Sequence, residues 1–364
     1  MNFTDSTRID STFGVNRRSR SVIRSRSWLN LSAMAAVVAG FALIIAKNLP
    51  SSTDNKLVNV SYDPTRELYQ NLDLAFSTAY EKRTGRHIIV VESHGGSSRQ
   101  ARSVVSGEQQ ADVVTLGLFS DVDLLRKQGL IANGWADRLP NHSRPYTSTI
   151  VFVVRRGNPK GIRDWPDLIQ DDVQIITPDP RTSANGKLSA LAAWGAIVTR
   201  GGSETEAVKY LKTFYQHVPV MDRGARDAAM TFTLEEIGDV HLTWENEAIR
   251  EVAEARGMLQ IIYPPVSILA EPYVAWVDAN VARDGTLAIA QAYLQFLFTD
   301  QAQATIARFG YRPYKQRIAG DTGVQLHPIT LFPITAVARD WDDAQQKFFA
   351  ENGIVDSAMG PRPE

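Results

Sequence analysis

The chain has 364 residues, which is enough for two domains of ordinary size, each with its own hydrophobic core. Its 44% hydrophobic and 22% charged residues are typical of a globular protein, and a net charge of -1 provides no overall field that would attract nucleic acid or an acidic membrane surface. The sequence contains no cysteine, which excludes a disulfide framework and a thiolate metal site.

Residues 1–50 differ in composition from the rest of the chain. Their arginines lie at positions 8, 17, 18, 20, 24 and 26. An uncharged apolar run follows over 31–46, and a basic region before such a run is the pattern of a secretory signal. We therefore expect the protein to be exported. Because the run ends without a small-x-small cleavage triplet, an uncleaved membrane anchor formed by residues 31–46 is the alternative.

From residue 57 onward, short β-rich runs alternate with helical stretches, which is typical of an α/β fold. The predicted strands are 57–60, 88–91, 113–116, 150–154, 173–177, 218–221, 240–244, 260–263 and 273–277. The predicted helices are 66–80, 99–105, 187–198, 204–215 and 245–255. Three of them are followed by a glycine in the position of a C-terminal cap, at Gly107, Gly201 and Gly257.

The strand 88–91 is the most informative element, because it runs into a Gly- and Ser-rich turn at 93–98 and then into a helix. Backbone N–H groups at the start of a helix have no intrahelical acceptors, and the helix dipole makes this end positive. The turn therefore predicts an anion-binding site. The same order recurs at 173–187. The strand 57–60 precedes Asp63 and Pro64, which we interpret as an N-cap and the first helical residue.

Two long apolar strands flanked by polar, proline-bearing segments are interpreted as crossings between two lobes. They lie at 146–154 and 268–276. Lobe 1 then comprises 57–145 and 275–355, and lobe 2 comprises 146–274. Two anion-binding turns in one chain suggest two surfaces that face one ligand, so we expect the ligand in the cleft between the lobes.

Several segments carry a resemblance to a known family. They are NVSYDPTRELY at 59–69, SHGGS at 93–97, PYTSTIVF at 145–152, LAAWG at 191–195, GAR at 224–226, WENEA at 244–248 and ILAEP at 268–272. In this order they resemble the periplasmic sulfate-binding proteins, the substrate-binding components of sulfate/thiosulfate ABC importers. The resemblance implies a two-lobed, type II periplasmic-binding-protein fold with two mixed sheets flanked by helices. It also implies sulfate binding by hinge closure and delivery to membrane permease subunits.

Carried over position by position, the resemblance implies a set of donors to the sulfate. They are the backbone N–H of Asp63, the hydroxyl and N–H of Ser97, the hydroxyl of Ser183, the N–H groups of Ala184, Asn185 and Ala225, and the indole N–H of Trp244. Where many family members have two glycines after the serine, this chain has Ala184 and Asn185, which still offer main-chain donors. This variant also occurs in thiosulfate-binding relatives, so a thiosulfate-preferring receptor is the alternative.

Sulfate is fully ionised at neutral pH, so a matching site needs only donors. Arg99, Lys187 and Arg226 are expected to pair with outlying groups rather than contact the anion. If the Asp63 carboxylate caps the helix that begins at Pro64, it is turned away from the anion and sulfate is favoured. If it faces the cleft, phosphate is favoured, because phosphate carries a proton and needs an acceptor. Molybdate and tungstate receptors of the same fold are further alternatives.

An enzyme is the alternative from a different class. The segment HGG at 94–96 is similar to the oxyanion segment of esterases, but the sequence has no Gly-x-Ser-x-Gly elbow, and Ser97 has no evident base. The histidines show no metal-ligand spacing, and no nucleotide-binding motif follows a strand. We therefore predict a monomeric binding protein without catalytic activity, cofactor, metal or nucleic-acid partner, with an esterase- or sulfatase-like hydrolase as the alternative.

Overall fold

The computed structural model describes residues 34, 37, 55–315, 317–318, 324 and 326–360. The chain divides into two units, residues 1–53 and 54–364, and the architecture below is that of the second. Of the first unit only Met34 and Val37 are described, and both are helical. The predicted signal or anchor at 31–46 otherwise lies outside the described residues. Over the described part of the chain, no helix has the length and apolar character needed to cross a bilayer.

The second unit alternates strands and helices. Its strands are β1 (Lys56–Tyr62), β2 (Ile89–Gly95), β3 (Val113–Leu116), β4 (Tyr146–Thr147), β5 (Ile150–Arg155), β6 (Ile175–Ile176), β7 (Val240–Trp244), β8 (Leu259–Ile262), β9 (Val266–Ile268), β10 (Tyr273–Trp276), β11 (Arg312–Pro313) and β12 (Thr330–Phe332). Its α-helices are α1 (Arg66–Thr84), α2 (Ser97–Val105), α3 (Phe119–Lys127), α4 (Ala184–Val198), α5 (Glu204–Gln216), α6 (Ala225–Thr233), α7 (Glu245–Glu254), α8 (Asp278–Asp284), α9 (Leu287–Phe296), α10 (Asp300–Arg308), α11 (Trp341–Ala344) and α12 (Ile354–Met359). Shorter elements are a left-handed turn at Pro140–Ser143, a π-helical turn at Gln345–Phe349, and 3-10 helices at Asp63–Thr65, Trp135–Asp137, Trp165–Ile169 and Ile334–Ala336.

The first sheet has the strand order β10-β3-β1-β2. Strand β1 lies parallel to both β2 and β3, and β10 is antiparallel to β3. All four residues of β3 are buried, and three of them are apolar, as expected of a strand covered on both faces of its sheet. Strands β1 and β2 end side by side at Tyr62 and Gly95. The helices that follow them therefore start at the same edge of the sheet.

The second sheet has the strand order β6-β7-β5-β8. Strand β5 is antiparallel to β7 and β8, and β6 is parallel to β7. Trp244, the last residue of β7, lies opposite Ile150, the first residue of β5. The predicted fold class, two mixed sheets flanked by helices, is therefore confirmed.

The two segments interpreted as crossings run side by side between the sheets. Ser148 and Ala270 exchange two backbone hydrogen bonds of 2.9 Å each. Close by, β4 pairs with β11 in antiparallel orientation. The chain thus passes from one sheet to the other through adjacent extended segments, which is the arrangement that a hinge requires.

The C-terminal segment packs against helices of the second sheet. Strand β12 pairs with β9, and the ring of Phe348 lies edge-on to Trp194 with ring centroids 5.1 Å apart. Lys347 pairs with Glu204 at the start of α5. The sequence-based boundary groups 275–355 with lobe 1, whereas residues 330–355 of that range pack against elements of the second sheet. The physical reason is that α4 is buried on almost every side and needs this segment as a cover.

The predicted strand at 218–221 is wrong. The chain has no strand there, because α5 ends at Gln216 with His217 as its C-cap and Pro219 offers no N–H to a ladder. Helices α2 and α4 begin two and three residues earlier than predicted, at Ser97 and Ala184. The C-cap residues are Ser106, Thr199 and Ala255, and the predicted glycines Gly107, Gly201 and Gly257 follow them by one or two positions in left-handed conformations, with φ of 78, 89 and 87°.

Candidate functional site

The residues implied as anion contacts all lie at the beginnings of helices. Their places are Asp63 at the start of the 3-10 helix, Ser97 at the start of α2, Ser183, Ala184 and Asn185 at the start of α4, Ala225 at the start of α6, and Trp244 immediately before α7. Each helix start offers backbone N–H groups that the helix itself cannot satisfy, and each carries about half a positive charge. The common feature of the set is therefore main-chain donor groups rather than a shared side chain.

Glycines allow these helix starts to approach one another closely. A Cβ atom on Gly96, which precedes α2, would lie 2.5 Å from the carbonyl oxygen of Thr182 and 2.8 Å from that of Arg223. The N–H of Arg99 also donates to Thr182 O at 3.3 Å. A Cβ atom on Gly224, which precedes α6, would overlap the Asp63 carboxylate. The loops that lead into α2, α4 and α6 are thus in close contact.

Gly117 marks a second point of contact between the same helix starts. A Cβ atom there would lie 2.7 Å from the Ala184 Cβ and 3.6 Å from the Ser97 hydroxyl oxygen. The ring of Tyr62 borders the same space, and its centroid lies 5.3 Å from that of Trp244. The structure therefore brings Ser97, Ala184 and Trp244 to one buried region between the sheets.

Trp244 holds a donor without a protein acceptor. The side chain is completely buried, and its indole Nε1 has no hydrogen-bond partner among the described residues. Leaving a buried donor without an acceptor costs about 1–3 kcal/mol, so an unpaired buried donor requires an explanation, such as a bound ligand. A donor of this kind beside several helix N-termini is suited to hold an anion.

The two positions after Ser183 do not need to be glycine. Ser183 is the N-cap of α4 and makes no capping hydrogen bond with its side chain, and Ala184 and Asn185 occupy the first helical turn. Neither has a positive φ, so neither needs to be glycine. The side-chain Nδ2 of Asn185 donates to Leu242 O at 2.9 Å, which fixes the start of α4 to β7. Gly186 is required, because a Cβ atom there would overlap Pro178 O.

The Ser97 hydroxyl is held by a carboxylate that sequence reasoning missed. It donates to Asp121 Oδ2 at 2.6 Å and accepts the backbone N–H of Gly117 at 3.0 Å. Ser98 donates to Asp121 Oδ1 at 2.8 Å. Because the hydroxyl hydrogen of Ser97 goes to Asp121, the backbone N–H of Ser97 is its remaining donor. Asp121 lies in the first turn of α3 after strand β3 and Gly117, the same order of strand, glycine and helix that indicated the other helix starts.

The interpretation of Asp63 as a helix cap is wrong. Tyr62 is the N-cap residue, Asp63 is the first helical residue, and no side chain caps this 3-10 helix. The carboxylate lies instead beside Gly224, the N-cap of α6, and the residue is only 8% exposed. Burial and the nearby Asp227 raise the pKa of Asp63, while Arg66 and Arg99 act in the opposite direction.

The three cationic residues have different surroundings. Lys187 is buried in α4, where its Nζ lies 3.6 Å from Asp121 Oδ1 and donates to Gln345 Oε1 at 3.2 Å. Arg226 at the start of α6 pairs with Glu67 of α1, and its Nε lies 3.1 Å from Glu247 Oε2. Arg99 is exposed at the start of α2. Lys187 and Arg226 thus pair with carboxylates of neighbouring helices.

The two carboxylates that follow Trp244, Glu245 and Glu247, also pair with arginines. Arg312 makes two hydrogen bonds of 2.8 Å to Glu245, and Arg250 donates to Glu247 at 2.7 Å. Burial raises the pKa of Glu247, and Arg226 and Arg250 oppose that shift. These acids therefore fix the start of α7 through their arginine partners.

The surroundings of Ser97 and His94 do not match those of a hydrolase. His94 contacts the Glu92 carboxylate through Nε2 and the Tyr62 carbonyl oxygen through Nδ1 at 3.3 Å. Ser97 is bonded to Asp121, as described above, rather than to an imidazole. A serine nucleophile needs a base within hydrogen-bond reach, and the described contacts of Ser97 provide a carboxylate in that position.

Comparison with known proteins assigns the family. The model of the bacterial extracellular solute-binding proteins matches residues 66–312. The sulfate-binding protein of Salmonella typhimurium is 43% identical over 319 residues, which cover 87% of this chain and 97% of that protein. The thiosulfate-binding protein of Pseudomonas aeruginosa is 41% identical, with coverage of 84% and 92%.

A solved structure agrees with this assignment. The sulfate-binding protein SubI from Mycobacterium tuberculosis superposes with a TM-score of 0.73 at 30% identity, over 81% of this chain and 99% of that chain. The matches to the two relatives and to this solved structure each cover most of the length of both proteins compared. The chain therefore belongs to the bacterial extracellular solute-binding protein family, in the group that contains the sulfate- and thiosulfate-binding proteins.

Proposed function

We propose that the protein binds sulfate between its two sheets, through Asp63, Ser97, Ser183, Ala184, Asn185, Ala225 and Trp244, and delivers it to an ABC importer. The observation that carries the proposal is the completely buried, unpaired indole N–H of Trp244 beside helix N-termini from both sheets. Relatives named for sulfate and for thiosulfate support the choice of an inorganic oxyanion.

The chemistry of sulfate suits such a site. The anion accepts hydrogen bonds through four oxygens and donates none. Each hydrogen bond to a charged group contributes about 1.5–3 kcal/mol. Seven of them would offset a large dehydration cost and leave a micromolar or better affinity, roughly -8 kcal/mol. The partial positive charges at the starts of α2, α4 and α6 would disperse most of the ligand's double negative charge.

Thiosulfate and phosphate are the competing ligands. The thiosulfate-binding relative from Pseudomonas aeruginosa is almost as similar to this chain as the sulfate-binding relative, which favours thiosulfate as second candidate. Phosphate is favoured by one observation, the uncapped Asp63 carboxylate beside Gly224, since a protonated oxyanion could donate to it. Phosphate ranks below both because the named relatives are sulfate- and thiosulfate-binding proteins, and sulfate ranks first because the Salmonella typhimurium relative and the solved structure SubI are both sulfate-binding proteins.

Hinge closure is the proposed mechanism. The anion would bind to the helix starts of one sheet, and the other sheet would then approach and supply the remaining donors. The closed form of the exported monomer would dock to permease subunits at the periplasmic face of the membrane. We propose binding without catalysis, because Ser97 has a carboxylate partner rather than a histidine base.

Competitive calorimetry tests the proposal. The purified protein is titrated with sulfate, thiosulfate, phosphate and molybdate, and the quenching or shift of Trp244 fluorescence is followed in parallel. We expect saturable heat and a fluorescence change with sulfate at micromolar concentration. An Asp63→Asn variant is titrated as well, since the loss of a carboxylate acceptor should weaken phosphate selectively. No heat and no fluorescence change with sulfate would refute the assignment.

A further inference from the structure

Tyr62, the last residue of β1, is the aromatic neighbour of Trp244 on the first sheet. Its ring centroid lies 5.3 Å from that of Trp244, and the two ring planes are tilted by 49°. Its Cδ2 atom and the Ser97 hydroxyl oxygen lie 3.5 and 3.6 Å from the position that a Cβ atom would take on Gly117. One edge of the ring therefore borders the region of the proposed donors, and the ring supports the Trp244 indole.

The hydroxyl group of Tyr62 belongs to a cluster of buried tyrosines. The tyrosine cluster consists of Tyr62, Tyr69, Tyr146 and Tyr311, each of which is at most 1% exposed. Burial and the neighbouring Tyr311 raise the pKa of Tyr62, and burial and the neighbouring Tyr62 raise the pKa of Tyr146. Burial and Tyr146 likewise raise the pKa of Tyr69. The phenol groups therefore lie close to one another and keep their protons at neutral pH.

Three hydroxyl groups of the tyrosine cluster have no protein partner. Those of Tyr62, Tyr69 and Tyr146 are buried and make no hydrogen bond within the described part of the chain. A buried hydroxyl group without a partner destabilises the folded state, and an internal water molecule, which typically makes about three hydrogen bonds, removes this cost. Three neighbouring hydroxyl groups therefore suit the hydrogen-bonding capacity of one such water molecule.

The tyrosine cluster also includes residues at the crossing between the sheets. Tyr146 is the first residue of β4, and Tyr311 directly precedes β11, which pairs with β4. The centroids of these two rings are 4.6 Å apart. The Tyr311 hydroxyl donates to Pro64 O at 2.9 Å, which fixes the turn before α1. The cluster therefore joins the crossing, the start of α1 and, through Tyr62, the indole of Trp244.

We propose that Tyr62 is a positioning residue for Trp244, held in place by one ordered water molecule that bridges its hydroxyl group to those of Tyr69 and Tyr146. The inference rests on the proposed function and extends it. With the ring of Tyr62 fixed, the indole keeps the orientation in which its N–H points to the anion. Because Tyr146 lies on the crossing, a movement of the crossing reaches Trp244 through Tyr62. Closure of the cleft is thereby coupled to the formation of this hydrogen bond.

Tyr210 of α5 provides a comparison, because it is a buried tyrosine with a structural role. It is 6% exposed, and its hydroxyl donates to Trp165 O. Its ring centroid lies 6.4 Å from that of Phe214. Among the described residues, none of its hydrogen-bond or ring partners is a proposed anion-binding residue. Removal of its hydroxyl should therefore affect stability without affecting the affinity for the anion.

Variants of Tyr62 test the inference through the dissociation constant for sulfate, measured by calorimetry. We expect Tyr62→Phe, which loses the bond to the water but keeps the ring, to raise this constant roughly three- to tenfold. Tyr62→Leu also removes the ring that supports the indole and should raise it roughly 10- to 100-fold. Tyr210→Phe is the matched control, and its dissociation constant should stay within about twofold of the wild type.

A double variant separates positioning from packing. Trp244→Phe has no indole N–H to position, so adding Tyr62→Leu should raise the dissociation constant by less than about threefold. Circular dichroism and the melting temperature identify a variant that fails to fold, in which case Tyr62→Phe replaces Tyr62→Leu in both backgrounds. Dissociation constants of the folded Tyr62 variants within about twofold of the wild type, or equal losses with and without the indole, would overturn the inference.

Measurements without any anion keep this test separate from that of the proposed function. Magnetic relaxation dispersion of water counts the internal water molecules of long residence, and we expect one fewer in Tyr62→Phe and an unchanged number in Tyr210→Phe. The emission of Trp244 is the difference between each protein and its Trp244→Phe counterpart, and it should shift in Tyr62→Leu. If the wild type bound no sulfate, the proposed function would fail. An unchanged water count in Tyr62→Phe, or an unchanged emission in Tyr62→Leu, would refute the positioning role itself.

Discussion

At the scale of single residues, partners decide what a side chain does. Trp165 and Trp244 are both completely buried. The indole N–H of Trp165 donates to Val266 O at 2.7 Å, which makes it part of the core. That of Trp244 has no such acceptor in the described residues. The two tryptophans should therefore respond differently to the same substitution.

Trp244→Phe should weaken sulfate binding roughly 10- to 100-fold, because it removes one hydrogen bond to a charged ligand and keeps the aromatic ring. Calorimetry measures the dissociation constant directly. Trp165→Phe is the matched control, since it leaves Val266 O without its partner. It should lower the free energy of unfolding by about 1–3 kcal/mol and leave the dissociation constant unchanged. An affinity of Trp244→Phe within threefold of the wild type would contradict a contact with the anion.

At the scale of secondary-structure elements, helix α4 illustrates how a core helix also forms a site. Its first turn carries the proposed donors, while its middle is buried on almost every side. Gly195 in this helix leaves a groove that the ring of Phe332 from β12 enters. Helix propensity alone would favour alanine at this position by about 1 kcal/mol. Packing requires glycine instead, which joins the C-terminal segment to α4.

Gly195→Ala should therefore destabilise the protein, because the new methyl group would overlap the Phe332 ring. We expect a loss of about 1–3 kcal/mol in the free energy of unfolding, measured by urea denaturation. A second substitution, Phe332→Leu, makes room for the methyl group and should recover part of the loss. Equal or higher stability of Gly195→Ala alone would show that propensity outweighs packing here.

At the scale of the whole molecule, two partly buried acids, Asp73 in α1 and Glu92 in β2, should make stability depend on pH. Burial and the neighbouring Glu92 raise the pKa of Asp73 to about 9, and the Tyr293 hydroxyl lies 2.6 Å from Asp73 Oδ1. Burial also raises the pKa of Glu92. Between the ordinary pKa of an aspartate and this raised value, the folded protein binds more protons than the unfolded chain. The free energy of unfolding must then fall as the pH rises through this range.

Urea denaturation between pH 7 and 8.5 tests this expectation above the range in which histidines titrate. Stability should decline by up to about 1.4 kcal/mol per pH unit for each retained proton. Asp73→Asn keeps a hydrogen-bonding group without an acidic proton, so it should flatten the dependence and be more stable than the wild type at pH 8.5. Parallel curves for wild type and variant would show that Asp73 is ionised throughout.

Much of the molecule could be predicted from local sequence. Eight of the nine strands predicted from apolar runs are present in the structure, and the helices begin after their strands in the expected order. The donor groups can also be predicted from local sequence, because the first N–H groups of any helix lack intrahelical acceptors whatever surrounds the helix. The failed strand at 218–221 shows the limit: the carbonyl oxygen of His217 accepts the N–H of Ile175 in β6 at 2.8 Å, but Pro219 has no N–H with which to continue a ladder.

The sequence by itself therefore determined the α/β fold class, the order of strand, turn and helix, and the starts of α2 and α4 to within three residues. Only the tertiary structure decided which groups meet across the cleft. Asp121 accepts a hydrogen bond from Ser97, which lies 24 positions away in the sequence, and Lys187 of helix α4 approaches the same carboxylate. The Asp63 carboxylate lies beside Gly224 rather than at the start of its own helix. Local patterns follow from hydrogen bonds between near neighbours, whereas charge pairing and packing depend on distant segments that only folding brings together.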